Sequence, residues 1–214
     1  TNVFARTIGL PNDPVEATGV LLGALAAGSI RDIGLGMVDK RCFLFHTGLG
    51  FDAAVVEQVE RRSSLKRYAG HPLFIYAGFA TWFRHYERSR PRMAVRLGDG
   101  RVVDDAYFCI VLNPSPYTYL GNRPLDLAPE ASLDSGLSIV AVRTMDFVRT
   151  LALVGSAVGS GRHLRSSRHA MVAHDLSSIE VTGHGPFPFQ VDGDFLGHTE
   201  GLTFTHRRDA LRLV

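Results

Sequence analysis

Phe189-Gln190-Val191-Asp192-Gly193-Asp194-Phe195-Leu196-Gly197 is an apolar, strand-like run interrupted by two carboxylates that flank a glycine. Acids are costly in such a run unless a metal, a cation or a reacting proton lies near them. If the run is one extended strand, residues two apart share a face. Asp192 and Asp194 can then hold one divalent cation, or one can serve as a base while the other tunes it. If Asp192-Gly193 is a turn dipeptide, the run is instead a β-hairpin. The chain offers a comparison in Leu97-Gly98-Asp99-Gly100-Arg101, whose polar, glycine-rich flanks are those of a plain hairpin. Before Asp192 stands Pro186-Phe187-Pro188-Phe189, with no second turn residue.

Outward from this run the chain reads as β from Arg92 onward. Strands are expected at Met93–Leu97, Val102–Leu112, Leu137–Arg143, Ala170–Ala173, Ser178–Thr182, Phe187–Val191, Leu202–His206 and Leu211–Val214. Arg31–Thr47 reads as a hairpin turning at Asp39-Lys40. Helices are expected at Asp13–Ala27 (Asp13 as cap, Pro14 in the first turn, Gly28 as stop), Phe51–Glu60, Pro72–Tyr86 and Met145–Val158. The polar stretch Gly159–His169 reads as a mobile loop. Many strands with a few inserted helices predict a mainly β fold, a β-sandwich.

With 214 residues and 45% hydrophobic content, the chain can bury a real core in one large domain or two small ones. Its net charge of +2 does not point to nucleic acid, although an anionic ligand is compatible. Cys42 and Cys109 sit in apolar strand-like runs and read as buried free thiols in a reducing compartment. No run is long and apolar enough for a membrane span. No HxxxH or CxxC pattern gathers the nine histidines, which argues against zinc. The opening Thr1-Asn2-Val3-Phe4-Ala5-Arg6 reads like the middle of a motif, so a natural protein longer on the N-terminal side is expected.

Three further segments have a chemical reading beside a plain one. Thr47-Gly48-Leu49-Gly50-Phe51-Asp52-Ala53 sets two glycines between a strand and a helix. There backbone N–H groups can approach an anion, or Asp52 can cap the helix in a tight turn. Asn113-Pro114-Ser115-Pro116-Tyr117-Thr118-Tyr119-Leu120-Gly121 is a polar, aromatic loop of the kind that lines sites, or a loop only. Ala128–Leu137 brings acid, hydroxyl and glycine together, which suits a hard cation or an ordinary Asp-Ser-Gly turn. The helix Pro72–Tyr86 carries Phe74, Ile75, Phe79, Trp82 and Phe83 with Arg84, His85, Arg88 and Arg90 at or beyond its end. That pattern packs on a core or faces an acyl chain at an anionic lipid surface.

Taken in order, these segments resemble the diacylglycerol kinase/sphingosine kinase-like lipid kinase superfamily, specifically its C-terminal domain. Thr1-Asn2-Val3-Phe4-Ala5-Arg6 followed by Ile8-Gly9-Leu10-Pro11 is similar to its "GTxNDFAR…GIP" segment. Gly48–Ala53 is similar to its "GFDA" corner, Leu127–Gly136 to "iaPxAxldDG", and Gln190–Asp194 to "QxDGE". The resemblance spans the whole chain. It implies that residues 1–214 form the C-terminal β-sandwich domain, like that of lipid and NAD kinases. The nucleotide-loop domain with its "GGDGT" motif would then be absent from this chain.

The activity implied is transfer of the ATP γ-phosphate to the hydroxyl of diacylglycerol or a related lipid, with Asp192 and Asp194 supplying the base and lying near Mg2+. The alternatives are a sphingoid-base or other lipid kinase, or a catalytically inactive lipid-binding module. The implied nucleotide side comprises Thr1, Asn2, Gly48, Gly50 and Asp52, with Lys66 or Arg67 meeting phosphate. A structural Mg2+ would draw on Ser132, Asp134 and Leu137. Expected surroundings are the cytoplasm and the inner membrane face, with peripheral membrane contact, no nucleic acid, and a homodimer allowed. Asp194 stands where the family usually has Glu, Val3 where many members have Asp, and Ser135 where bacterial members have the acid of the structural metal site.

Overall fold

The computed structural model describes residues 3–61, 76–159 and 161–214. Helices α1 (Val3–Thr7) and α2 (Pro14–Ala26) precede β1 (Arg31–Val38), β2 (Arg41–Phe43), β3 (His46–Leu49) and helix α3 (Phe51–Glu60). Residues 76–85 form α4, whose last five, Thr81–His85, are a π-helical turn. Next come β4 (Met93–Leu97), β5 (Val102–Ala106), β6 (Phe108–Leu112), β7 (Thr118–Leu120), β8 (Arg123–Leu125) and β9 (Leu137–Val142). Helices α5 (Phe147–Val158) and α6 (Arg162–Ser166) lead to β10 (Ala170–Leu176), β11 (Ser178–Val191) and β12 (Asp194–Leu213). The fold is mainly β with a few helices, as the sequence predicts. Among the described residues no helix is long and apolar enough to cross a membrane.

Ten strands form one antiparallel sheet in the order β10-β9-β6-β3-β11-β12-β1-β2, with β4 also on β11 and β5 on β4; β7 and β8 pair separately. Strand β11 is the branch point. Its C-terminal end (Phe189–Val191) pairs with β3, and its N-terminal end (Ile179–Gly183) pairs with β4. Its ladder to β12 shifts register between Thr182 and Phe187, at Gly183-His184-Gly185-Pro186, and there the two branches part. They close face to face over one core. Met93, Val95 and Leu97 of β4 meet Cys109 and Val111 of β6, Ile139 and Ala141 of β9, and Leu202 and Phe204 of β12. The sandwich is therefore one sheet folded on itself.

Strands β6 and β9 are buried on both faces. Alternate residues point in opposite directions. Phe108, Ile110 and Leu112 therefore turn away from the sandwich, where they pack with Trp82, Leu153, Ala157 and Leu164 of α4, α5 and α6. Phe51 at the start of α3 joins this layer, its ring 5.5 Å from Trp82. Continuous apolar runs in β6 and β9 are the consequence of that double burial.

Helix α2 starts as expected. Asp13 Oδ1 accepts the N–H groups of Val15 and Glu16 at 3.0 and 2.9 Å, and Gly28 at φ +62° follows its end. Helix α5 starts at Phe147, not Met145, because Asp146 caps it by accepting the Arg149 N–H at 2.9 Å. Asp146→Ala should cost ~1 kcal/mol in a urea titration.

Several expectations are corrected. Val102–Leu112 is two strands, broken at Tyr107, whose N–H turns to Val142 O and whose carbonyl accepts the Tyr86 hydroxyl at 2.6 Å. Gly159–His169 contains helix α6, anchored by Leu164 at 2% exposure. The four short strands expected after Ser178 merge into β11 and β12. Cys42 is exposed, while Cys109 is buried as expected, and burial pushes its thiol up. Of the expected helix Pro72–Tyr86, residues 72–75, with Phe74 and Ile75, lie outside the described residues.

Candidate functional site

The Asp-Gly dipeptide is the turn. Asp192 (φ +52°) and Gly193 (φ +90°) form the two-residue loop between Val191 and Asp194, which pair across β11 and β12. Two successive positive φ values match the right-handed twist of the flanking strands. Of the two readings the turn holds, and Asp192, having left the strand, shares no strand face with Asp194.

The two carboxylates meet different surroundings. Asp192 accepts backbone N–H groups from Leu44 (2.7 Å), Phe45 (3.0 Å) and His46 (3.1 Å), and its own N–H donates to His46 O at 2.9 Å. Asn113, wholly buried at the end of β6, grips the same segment from the other side. Its Nδ2 donates to Leu44 O (3.1 Å) and Gly34 O (3.0 Å), and its backbone N–H donates to Phe45 O (2.9 Å). Asp192 is thus a clasp on the link between β2 and β3. Asp194 opens β12 with a side chain 71% exposed, and among the described residues it pairs with Arg41 Nη2 at 3.6 Å. An exposed pair at that distance holds loosely.

A second set of bonds ties the hairpin to α3. The Gly193 N–H donates to Gln190 Oε1 (2.8 Å), Gln190 Nε2 donates to Asp52 Oδ2 (2.8 Å), and the Tyr117 hydroxyl donates to Asp52 Oδ1. At the other end of α3, Glu60 Oε1 accepts the Phe195 N–H at 3.0 Å. Asp52 is buried in the first turn of α3, where the positive end of the helix dipole favours a carboxylate.

This corrects the reading of the glycine corner as a nucleotide cradle. The anion beside the helix start is the chain's own Asp52. The Gly50 N–H is engaged by Pro188 O at 2.8 Å, and Gly48 lies within the sheet opposite Gln190 and Ile110. Gly48, Gly50 and Asp52 are all buried framework.

His46 is buried with its ring 4.6 Å from that of Tyr117. Burial holds its imidazole below the ordinary 6.5, outweighing the opposing pull of Asp52 and Asp192. The unfolded chain then takes up a proton that the folded chain resists. The stability tied to His46 is present above pH 6.5 and falls as pH drops below it. The slope due to this group is at most ~1.4 kcal/mol per pH unit. Unfolding free energies at pH 7.5 and 5.5 should show a smaller drop in His46→Phe than in the wild type.

The expected structural-metal corner does not fit an ion. The Ser135 hydroxyl closes it, donating to Ser132 O (3.2 Å) and accepting the Ser132 N–H (3.2 Å), with Ser132 Oγ 3.0 Å away. The Gly136 N–H is taken by Asp175 Oδ1 at 2.9 Å. Asp134 is turned to Arg31, and Leu137 is fully buried in β9 opposite Leu176. Nor do Asp192 and Asp194 converge on one point, since Asp192 is directed at residues 44–46. Among the described residues no three of His, Cys, Asp and Glu converge as ligands.

Thr1, Asn2, Lys66 and Arg67 lie outside the described residues. Sequence reasoning did not single out His46, Gln190, Asn113, Glu60 or Arg41 as working parts. Gln190 and Asn113 at least stood inside the flagged segments; the others carried no local signal.

No protein-family model matches this chain, and no curated protein matches its sequence. Solved structures do match its shape. A candidate diacylglycerol kinase from Bacillus anthracis strain Sterne superposes with a TM-score of 0.69 at 19% identity, covering 99% of this chain and 65% of that one. A second structure under the same description gives 0.68 at 19% identity, covering 99% and 64%. A third, described as a diacylglycerol kinase of the same strain, gives 0.58 at 15% identity, covering 99% and 62%. This chain thus spans a little under two thirds of the length of these proteins, and over that span it has their fold.

Proposed function

We propose that this chain is the lipid-side part of an ATP-dependent lipid kinase, with Asp194 as the general base. The observation that carries the reading is the contrast within the hairpin. Asp192 is engaged by three backbone N–H groups, whereas Asp194 presents an exposed carboxylate on the same rigid turn. The shared fold with the candidate diacylglycerol kinases supports the choice of chemistry.

Phosphoryl transfer needs an oriented nucleophile and charge neutralisation more than covalent help from the protein. Asp194 takes the proton of the lipid hydroxyl as that oxygen attacks the γ-phosphorus. The bond to the β,γ-bridging oxygen breaks, ADP leaves, and the proton passes from Asp194 to solvent. Asp192, Gln190 and Glu60 hold the turn so that Asp194 keeps its aim. Mg2+ brought with ATP would neutralise charge on the transferring phosphate. Diacylglycerol is the proposed substrate. The ATP site is proposed to lie mostly in a separate nucleotide-binding domain.

The test is ATP-dependent phosphorylation of diacylglycerol by this chain joined to its nucleotide-binding domain. Asp194→Asn should lower kcat by ~10²-fold or more with little change in KM. Near-full activity in that variant would remove Asp194 as the base. A sphingoid base phosphorylated in preference to diacylglycerol would keep the base and change the substrate.

A further inference from the structure

Helices α4 and α5 each carry two apolar stripes, and the fold uses only one of each. In α4, Trp82 points inward at 5% exposure, while Phe79 and Phe83 stand 50% and 61% exposed. In α5, Thr150, Leu153 and Ala157 are buried, while Val148, Leu151 and Val154 are 73%, 56% and 45% exposed. Phe147 joins the outward stripes, its ring 6.5 Å from Phe79 and 5.8 Å from Phe83. Phe79 and Phe83 also line a hollow with Arg84. An apolar face of this extent marks a contact surface, since the core already has its own residues.

Its charge names the occupant. Arg84, which lines that hollow, and Arg149 are exposed, and the Arg88 guanidinium lies over the Trp82 and Phe83 rings at 5.3 and 5.9 Å. Among the described residues no carboxylate pairs with these three arginines. Glu87 is held by Arg90 and Arg92, and Asp146 is the α5 cap. Aromatic and aliphatic side chains rimmed by arginines suit the boundary of an anionic bilayer, where the rings enter the headgroup level and the guanidiniums meet lipid phosphate.

We propose that the outward face of α4 and α5 seats this chain on an anionic bilayer, with Phe83 and Leu151 entering it. The preference for a bilayer over a protein rests in part on the lipid-kinase reading. Binding is therefore measured without ATP, so that the face and the base can fail separately.

The experiment is sedimentation of the 214-residue chain with phosphatidylglycerol/phosphatidylcholine vesicles and with phosphatidylcholine alone. Binding should favour the anionic vesicles and weaken as salt rises. Phe83→Ser with Leu151→Ser should weaken it at least ~10-fold, as should Arg84→Glu with Arg149→Glu, the latter pair also flattening the salt dependence. Thermal melts verify that the variants are folded, and the arginine pair, both exposed, serves if the apolar pair is not. Helix α2 provides the control. It is as exposed and apolar but carries no Lys or Arg, so Leu22→Ser should leave binding unchanged. Unchanged binding in both α4/α5 double variants, or no binding of the wild type to anionic vesicles, overturns the proposal. So does a dimer in solution that Phe83→Ser with Leu151→Ser dissolves, since a second copy would then cover the face.

Discussion

Asp192→Ala is expected to lower the free energy of unfolding by about 3–6 kcal/mol, whereas Asp194→Ala leaves it within ~0.5 kcal/mol of the wild type. The two residues are separated by one glycine, so position alone gives no reason for the contrast. The surroundings do. Removing the Asp192 carboxylate strands three N–H groups, those of Leu44, Phe45 and His46, in a partly buried corner. Each orphaned donor costs ~1–3 kcal/mol, reduced where water can reach it. Alanine at φ +52° adds ~1 kcal/mol of backbone strain. Asp194 loses only a loose pair with Arg41 at 3.6 Å. Asp192→Asn should fall between, because its amide keeps one acceptor oxygen and Asn tolerates the left-handed region. Urea titrations of the three variants decide the matter. Equal losses for Asp192→Ala and Asp194→Ala would show that the clasp is not where it is described. With activity measured beside stability, Asp192 appears as a positioning residue and Asp194 as the catalytic one only if Asp194→Ala loses turnover while keeping its melting behaviour.

What could be seen in the sequence was local. Asp192-Gly193 is a turn dipeptide, and the flanking apolar residues are strands on either side of it. Which carboxylate would be engaged and which free was not legible, since that depends on residues 44–46, almost 150 positions earlier. The Asp52–Gln190 bond joins residues 138 apart in sequence, and no local pattern announces it. Gly183, Gly185 and Pro186 read as breaks, yet the structure uses them to bend one long strand, since a register shift needs the same residue types as a chain break. Helix α6 was hidden for another reason. A five-residue helix carries too little periodicity to register, and its one apolar anchor, Leu164, sits among polar neighbours. The helix Pro72–Tyr86 left core and lipid contact open; the structure turns Trp82 into the core and leaves Phe79 and Phe83 exposed.

Gly48→Ala is expected to cost more than ~4 kcal/mol and to leave the chain largely unfolded. Space is the cause, since Gly48 lies in an ordinary strand. An added Cβ would fall 1.6 Å from Asp52 Oδ2, 2.6 Å from Asp52 Cγ and 2.7 Å from Gln190 Nε2. Asp52 cannot step aside cheaply. It is rooted in the first turn of α3, and retreat would unpair both the Tyr117 hydroxyl and the Gln190 amide, which in turn holds Gly193. The clash therefore reaches the Asp192–Asp194 hairpin through that chain of bonds. The same reasoning predicts how the damage couples. Asp52→Ala alone should cost ~2–4 kcal/mol, because it leaves two buried donors without an acceptor. The double variant Gly48→Ala/Asp52→Ala should be more stable than the sum of the single losses by ~1–3 kcal/mol, since the second change removes the atoms struck by the first. Circular dichroism of the single variants and urea titration of the double measure this. A Gly48→Ala chain that folds like the wild type would mean that Asp52 does not lie against β3, and the tie between α3 and the Asp192–Asp194 hairpin would fall with it.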